Sequence, residues 1–199
     1  MPSNPEVFSQ TGGKTVIDNV LVAEVDILGG RLGGHGVIDG GVTIGPGGIL
    51  APGNSPGTLT INGNLAVSGI LEIEIAGLAA AEHDLLNVDS VSFAPGSVIR
   101  FVMYGGYQPT NNAEVTFLNS ATFVDLANVT YETDKVPAGF DYRVFEDENF
   151  DLHVVFSSVG SPLVPGVVID AVPEPSTLAL GALSLALVGW RTRRRTRIQ

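Results

Sequence analysis

The 199-residue chain predicts an all-β fold: a right-handed parallel β-helix or β-solenoid-like body, a C-terminal β-hairpin region and one C-terminal transmembrane helix. Three observations carry this expectation. Short apolar–polar–apolar steps recur between Val25 and Ile75. Glycine separates them, with 14 of the 25 glycines lying between Gly29 and Gly69. A charge-free apolar stretch then precedes an arginine-rich end.

The steps begin near Val25, Val37, Val42, Ile49, Leu59, Leu65 and Leu71, a mean spacing of about 7.7 residues. Three of them make a unit of about 23, in the range of solenoid repeats. The glycines supply corners at positive φ, where a Cβ is costly. In LEIEI the alternation sends Leu71, Ile73 and Ile75 inward and Glu72 and Glu74 outward. One such strand cannot bury its apolar side alone, whereas stacked turns bury it and pair the backbone between turns. An antiparallel sandwich with glycine-rich turns is the other architecture these features allow.

Beyond residue 113 the pattern changes to EVTFL and FVDLANVTY. FDYRVF (140–145) and LHVVF (152–156) then flank EDENFD as an antiparallel hairpin suited to cap an open solenoid end. The proline-containing stretch that follows reads as an extended linker.

Composition limits the chemistry. The formal charge is −11, and five of the ten basic residues are the arginines of the tail. The remaining five face all 21 acids, a balance of −16, which disfavours nucleic acid and anionic head groups as partners. With no cysteine, a disulfide framework and a thiolate zinc site are both excluded. His83, Asp84 and Asp89 read as a turn entering a strand rather than as metal ligands. Glu146, Asp147, Glu148, Asp151 and His153 read as a solvated acidic turn, since the spacing and glycine of a calcium loop are missing. A β-helical polysaccharide-degrading enzyme needs convergent carboxylates beside a cation. Arg31 and Arg100 are the only arginines of the glycine-rich stretch, and no acid pair recurs beside them at the repeat spacing. P-loop, GxSxG and HExxH patterns are also missing, so the expectation is a non-enzyme without cofactor or bound metal.

GVTIGPGGILAPGNSPGTLTINGNLAVSGILEIEIAG, followed by HDLLNVDSVSFAPGSVI, resembles the passenger-type β repeat of autotransporters and related bacterial surface proteins. APGNSPGTLTINGNL, residues 51–65, is the characteristic part, and the resemblance spans about residues 28–104. It implies an exported β-helical structural module and no catalytic residue.

The tail follows other rules. Pro175 to Trp190 is charge-free, and as a helix its 16 residues would span about 24 Å against a hydrocarbon thickness of about 30 Å. Arg191, Arg193, Arg194, Arg195 and Arg197 follow as a basic anchor on the cytoplasmic side, and snorkelling extends a short span. With VPEPST at residues 172–177, this order resembles the PEP-CTERM sorting signal of Gram-negative bacteria. The resemblance places the processing motif on Val172, Pro173, Glu174, Pro175 and Ser176. It implies exosortase as processing enzyme and a transient single pass through the inner membrane, C-terminus cytoplasmic, before the protein reaches the cell surface or extracellular matrix.

The expected organisation is therefore a glycine-rich β-solenoid region (1–113), a β-rich capping region (114–156), a linker (157–171) and the sorting signal (172–199). Within the signal lie the box (172–177), a transmembrane helix at about 176–190 and the basic end (191–199). The opening MPSNPEVFSQTGGKTV has neither the basic cluster nor the apolar run of a secretory leader. The expectation for an exported chain is that its start is truncated or begins late. Function is expected to be that of a structural or adhesive component of the bacterial surface or exopolysaccharide matrix. A polysaccharide- or calcium-binding matrix module is the alternative.

Overall fold

Backbone pairing between successive turns of the chain organises the protein. The computed structural model describes residues 6–159, and fourteen strands join there into one curled sheet with no helix among the described residues. The first turn is made of β1 (Val7–Gln10), β2 (Lys14–Val16) and β3 (Val20–Leu21). There follow β4 (Glu24–Gly34), β5 (Val37–Asp39), β6 (Val42–Pro52), β7 (Thr58–Val67) and β8 (Ile70–Ile75). β9 (Leu85–Phe93), β10 (Val98–Met103), β11 (Ala113–Ser120) and β12 (Thr130–Asp134) come next, and β13 (Phe140–Glu146) and β14 (Leu152–Ser158) end the described chain.

From β1 to β12 every strand pairing is parallel, each strand lying on one from an earlier turn. Register fixes which side chains share a column. Phe8, Val25, Val42, Leu65 and Val91 are successive partners across five turns. So are Leu32, Leu50, Leu71, Ile99 and Tyr131 on β4, β6, β8, β10 and β12. These columns form the core: Leu32, Leu50, Leu71 and Ile99 are fully buried. The expected inward triplet Leu71, Ile73 and Ile75 is likewise buried, with Glu72 and Glu74 facing out. Full burial of one such aliphatic side chain contributes about 1.5–3 kcal/mol.

The turns do not share the expected unit of about 23 residues. Val25 to Val42 is a separation of 17, whereas Val42 to Leu65 and Val37 to Thr60 span 23. Later, Leu71 to Ile99 spans 28 and Ile99 to Tyr131 spans 32. The physical reason lies between the strands: residues 76–84, 104–112 and 121–129 are loops inserted outside the paired segments. Register is kept while loops lengthen, so a fixed period cannot describe the chain. Side chains grow with the turns. Val25, Ile27 and Ile38 fill the early ones, whereas Phe101 and Phe117 meet edge-to-face at 5.2 Å in the later ones, with Phe156 of β14 6.5 Å from Phe101.

The expected hairpin is present. β13 and β14 pair antiparallel, Val144 opposite Val154, and β14 lies antiparallel on β11 through Val115 and Val154. The strand runs two residues past the boundary expected at 156, through Ser157 and Ser158. The rest of the expected linker lies outside the described residues.

Gly53 shows why the corners need glycine. Its φ is +81°, and a Cβ there would sit on the amide of Gly57 and 2.6 Å from Asp84 Oδ1. A Cβ on Gly57 would lie 2.9 Å from Gly53 Cα. Thr60, by contrast, is on an outward, half-covered position of β7, where its hydroxyl accepts from Asn87 Nδ2 at 3.4 Å. Gly53→Val and Gly57→Val are therefore expected to cost about 1 kcal/mol or more each. Thr60→Val should stay within about 0.5 kcal/mol. Thermal melting of the three variants checks this, and equal midpoints would remove the corner assignment.

Candidate functional sites

Four places gather polar chemistry, and the first is an ion ladder. β4, β8, β10 and β12 bring Arg31, Glu72, Arg100 and Glu132 onto one outer face. Arg31 Nη1 donates to Glu72 Oε1 at 2.6 Å, and Arg100 Nη1 donates to Glu72 Oε2 at 3.2 Å. Arg100 also grips Glu132 Oε2 through Nε at 3.0 Å and Nη2 at 2.8 Å. Glu74 approaches Arg31 at 4.0 Å. Acids do stand beside the two arginines, though not at the repeat spacing. Sequence separations of 41, 28 and 32 along the ladder follow no common period, so spacing did not reveal it. The carboxylates neutralise the arginines instead of facing a shared open space. Half-exposed pairs of this kind contribute only modestly to stability.

The second place is the corner at Asp84. His83 and Asp84 are both buried, while Asp89 is exposed on β9, so the three do not converge. Asp84 holds two backbone segments at once. Its Oδ1 accepts from Gly57 N at 2.9 Å and its Oδ2 from Glu74 N at 2.8 Å. The Asp84 amide returns a bond to the Glu74 carbonyl at 2.9 Å. Burial pushes the Asp84 carboxyl up to about 7, against the pull of the two amide donors. Burial also lowers the pKa of His83.

At the hairpin tip only Glu148 of the expected acidic turn is fully exposed; the other acids are built into structure. Glu146 is buried and accepts from Val124 N at 2.7 Å, and burial raises its pKa. Asp147 Oδ1 accepts from the amides of Asn149 and Asp151, both at 2.9 Å. Burial would raise the Asp147 carboxyl, but these bonds outweigh it and the net direction is down. His153 stacks on Phe145 at 4.9 Å, with Nδ1 3.1 Å from both Thr116 Oγ1 and Glu114 Oε1. Among the described residues no three His, Asp or Glu side chains gather in a geometry that would hold a metal ion.

The fourth place is an open polar groove of about 410 Å³ at the Gly40–Gly41 corner, lined also by Glu24, Thr43, Asn62, Gly63 and Asn64. Sequence reasoning missed it. It depends on which turn's corner lies beside which.

The processing residues Val172, Pro173, Glu174, Pro175 and Ser176 lie outside the described residues, as do Arg191, Arg193, Arg194, Arg195, Arg197 and the expected helix at about 176–190. Among the described residues no helix is long and apolar enough to cross a membrane. The family model for the PEP-CTERM protein-sorting motif matches residues 171–195. The tail is a PEP-CTERM sorting motif. The match contains the whole processing box and four of the five arginines, with Arg197 just beyond it. It marks the chain with an exosortase substrate signal, the signature of an exported, exosortase-sorted protein. The PEP-CTERM match does not reach residues 28–104, and no curated protein sequence matches the chain.

Asp84 yields a pH test. Its folded-state pKa of about 7 lies above the ordinary carboxyl value of 3.8. Protonation therefore favours the folded state: this contribution is complete below pH 3.8 and is lost as pH rises through about 7. Asp84→Asn removes the titration but turns an amide N–H₂ toward one of the two backbone donors, at a cost of about 1–3 kcal/mol. The variant should melt lower than wild type at pH 5, with the gap narrowing by pH 8. Parallel melting curves across that range would remove the assignment.

Proposed function

We propose that this chain is a structural or adhesive component of a bacterial surface or extracellular matrix, with a β-solenoid body delivered by its PEP-CTERM tail. The tail motif is the observation that carries the reading, because it assigns a destination outside the cytoplasm. The body supports it. In-register columns spanning up to five turns make a stiff, elongating scaffold in which each turn buries the apolar side of the one before. On this reading the turns wind as a right-handed parallel β-helix, residues 1–113 form the solenoid, and 114–156 cap it through the β13–β14 hairpin on β11. The passenger-type resemblance of residues 28–104 points the same way.

The reading includes no catalysis. The described carboxylates nearest to arginines are spent in ion pairs with them. A second reading, a polysaccharide-binding module of the matrix, is favoured by the polar groove beside Gly40 and Gly41.

In this proposal exosortase cuts near the box while the apolar stretch and the arginines hold the chain in the inner membrane. Expressed behind a secretory leader, the protein should lose its tail in a host with exosortase and keep it in one without. Changing Pro173, Glu174 and Pro175 to Ala should leave insertion intact and block release, so the uncut form accumulates in the inner membrane. Intact-mass measurement of the surface fraction decides the matter. A surface form still carrying Trp190 and the arginines would replace sorting by cleavage with a permanent anchor.

A further inference from the structure

The groove at the Gly40–Gly41 corner is a built hollow. Its floor includes backbone from two adjacent turns, since a Cβ on Gly63 would lie 2.6 Å from the Gly40 carbonyl oxygen, while a Cβ on Gly41 would meet the Glu24 side chain, 2.6 Å from Oε2. Glycine thus lets the corners of neighbouring turns meet closely. The walls are Glu24, Thr43, Asn62 and Asn64, all exposed. Asn64 Oδ1 accepts from Ser90 Oγ at 2.7 Å, so Asn64 offers its N–H₂ to a ligand. One carboxylate acceptor, two amides and a hydroxyl therefore converge on a space of about 410 Å³, within the size range of small-ligand sites.

We propose that this groove binds the hydroxyl groups of a neutral polysaccharide, which names the ligand of the second reading above and rests on that reading. A sugar hydroxyl donates and accepts at once, so it can serve the Glu24 carboxylate and the amides of Asn62 and Asn64 together. The lining has no cation, which excludes phosphate or sulfate as the recognised group. A polyuronate chain meets a body (residues 1–156) with 19 acids against 5 bases, a balance of −14, and is repelled. Val42 and Ala66 are the apolar side chains of the lining, too few and too small for a lipid or an apolar peptide. Polar side chains continue beyond the hollow: Thr60, Asn87 and Asn119 are successive register partners on one side, while on the other Thr43 and Ser92 stand two strands apart with Ala66 between them. Asn119 donates to Asn87 at 2.9 Å and Asn87 to Thr60 at 3.4 Å, an uncharged amide–hydroxyl row. A chain longer than one sugar ring would find hydroxyl and amide partners along these rows, so the ligand is a polymer.

Affinity electrophoresis of the full chain in mild detergent tests this, in native gels cast with dextran, galactomannan or alginate. Retardation is expected in at least one neutral gel and not in alginate. A Glu24→Gln, Asn64→Leu double variant should lose at least five-fold in apparent association constant, with its melting temperature preserved. Glu148→Gln, the same charge change at the hairpin tip, should bind as wild type. Equal retardation of wild type and double variant would overturn the groove assignment while leaving polysaccharide binding in place. Absence of retardation in both neutral gels would overturn the ligand class as well, with exosortase processing unaffected. Self-association that disappears in the double variant would overturn the proposal in favour of a second copy as occupant.

Discussion

The constraint on which everything else depends is the parallel register between successive turns. A strand such as β8 has no sequence-adjacent partner; its neighbours are β6 of the turn before and β10 of the turn after. Side chains alternate with a period of two, so a slip of one residue at any turn would send a whole column from core to solvent. Leu32, Leu50, Leu71 and Ile99 must therefore stay in line over most of the body's described length. The bulges between Ile27 and Gly29 and between Ile61 and Asn64 absorb local mismatches without breaking that line. Corner glycines follow from the same constraint, because turns can pair only where their corners approach closely.

Once the inward columns hold register, two features become free to vary. Turn length is one. The chain adds loops at 76–84, 104–112 and 121–129, and the wider turns are filled by phenylalanines where narrower ones use valine and isoleucine. The outward columns are the other. One face carries alternating charge through Arg31, Glu72, Arg100 and Glu132, while another carries the neutral row Thr60, Asn87 and Asn119. Arg100 with its two glutamates and the Thr60–Asn87–Asn119 row use the spacing of paired strands, about 4.8 Å, while Arg31 reaches Glu72 across the intervening β6.

Local features were legible in the sequence and relational ones were not. Alternation placed Leu71, Ile73 and Ile75 inside because that signal needs only five residues. The β13–β14 hairpin was legible because both strands flank a single turn. The tail was legible because its three parts are contiguous. Asp84 was not. Its role comes from Gly57 and Glu74, which stand 27 and 10 residues before it. A buried acid that bonds only backbone amides leaves no complementary side chain to search for. The arginine ladder escaped for a related reason: it was sought at one spacing, and the loops make each step different.

The same asymmetry bears on where function can reside. Core columns admit little variation, since each position is checked by the turns on both sides. Outward columns carry no such check, and on them and at the glycine-bound corners the chain places the ion ladder, the Asp84 clasp and the open groove. The first two connect turns to one another. Arg31 reaches from β4 over β6 to β8, and Asp84 ties the loop after β6 to β8. The groove does the reverse. Gly40 and Gly63 let two corners meet closely, and beside them Glu24, Thr43, Asn62 and Asn64 border a hollow that stays open. A polar hollow kept open in this way adds nothing to the core or to the ion pairs. On the proposed reading it is the place where a scaffold addressed to the cell exterior meets the polymer around it.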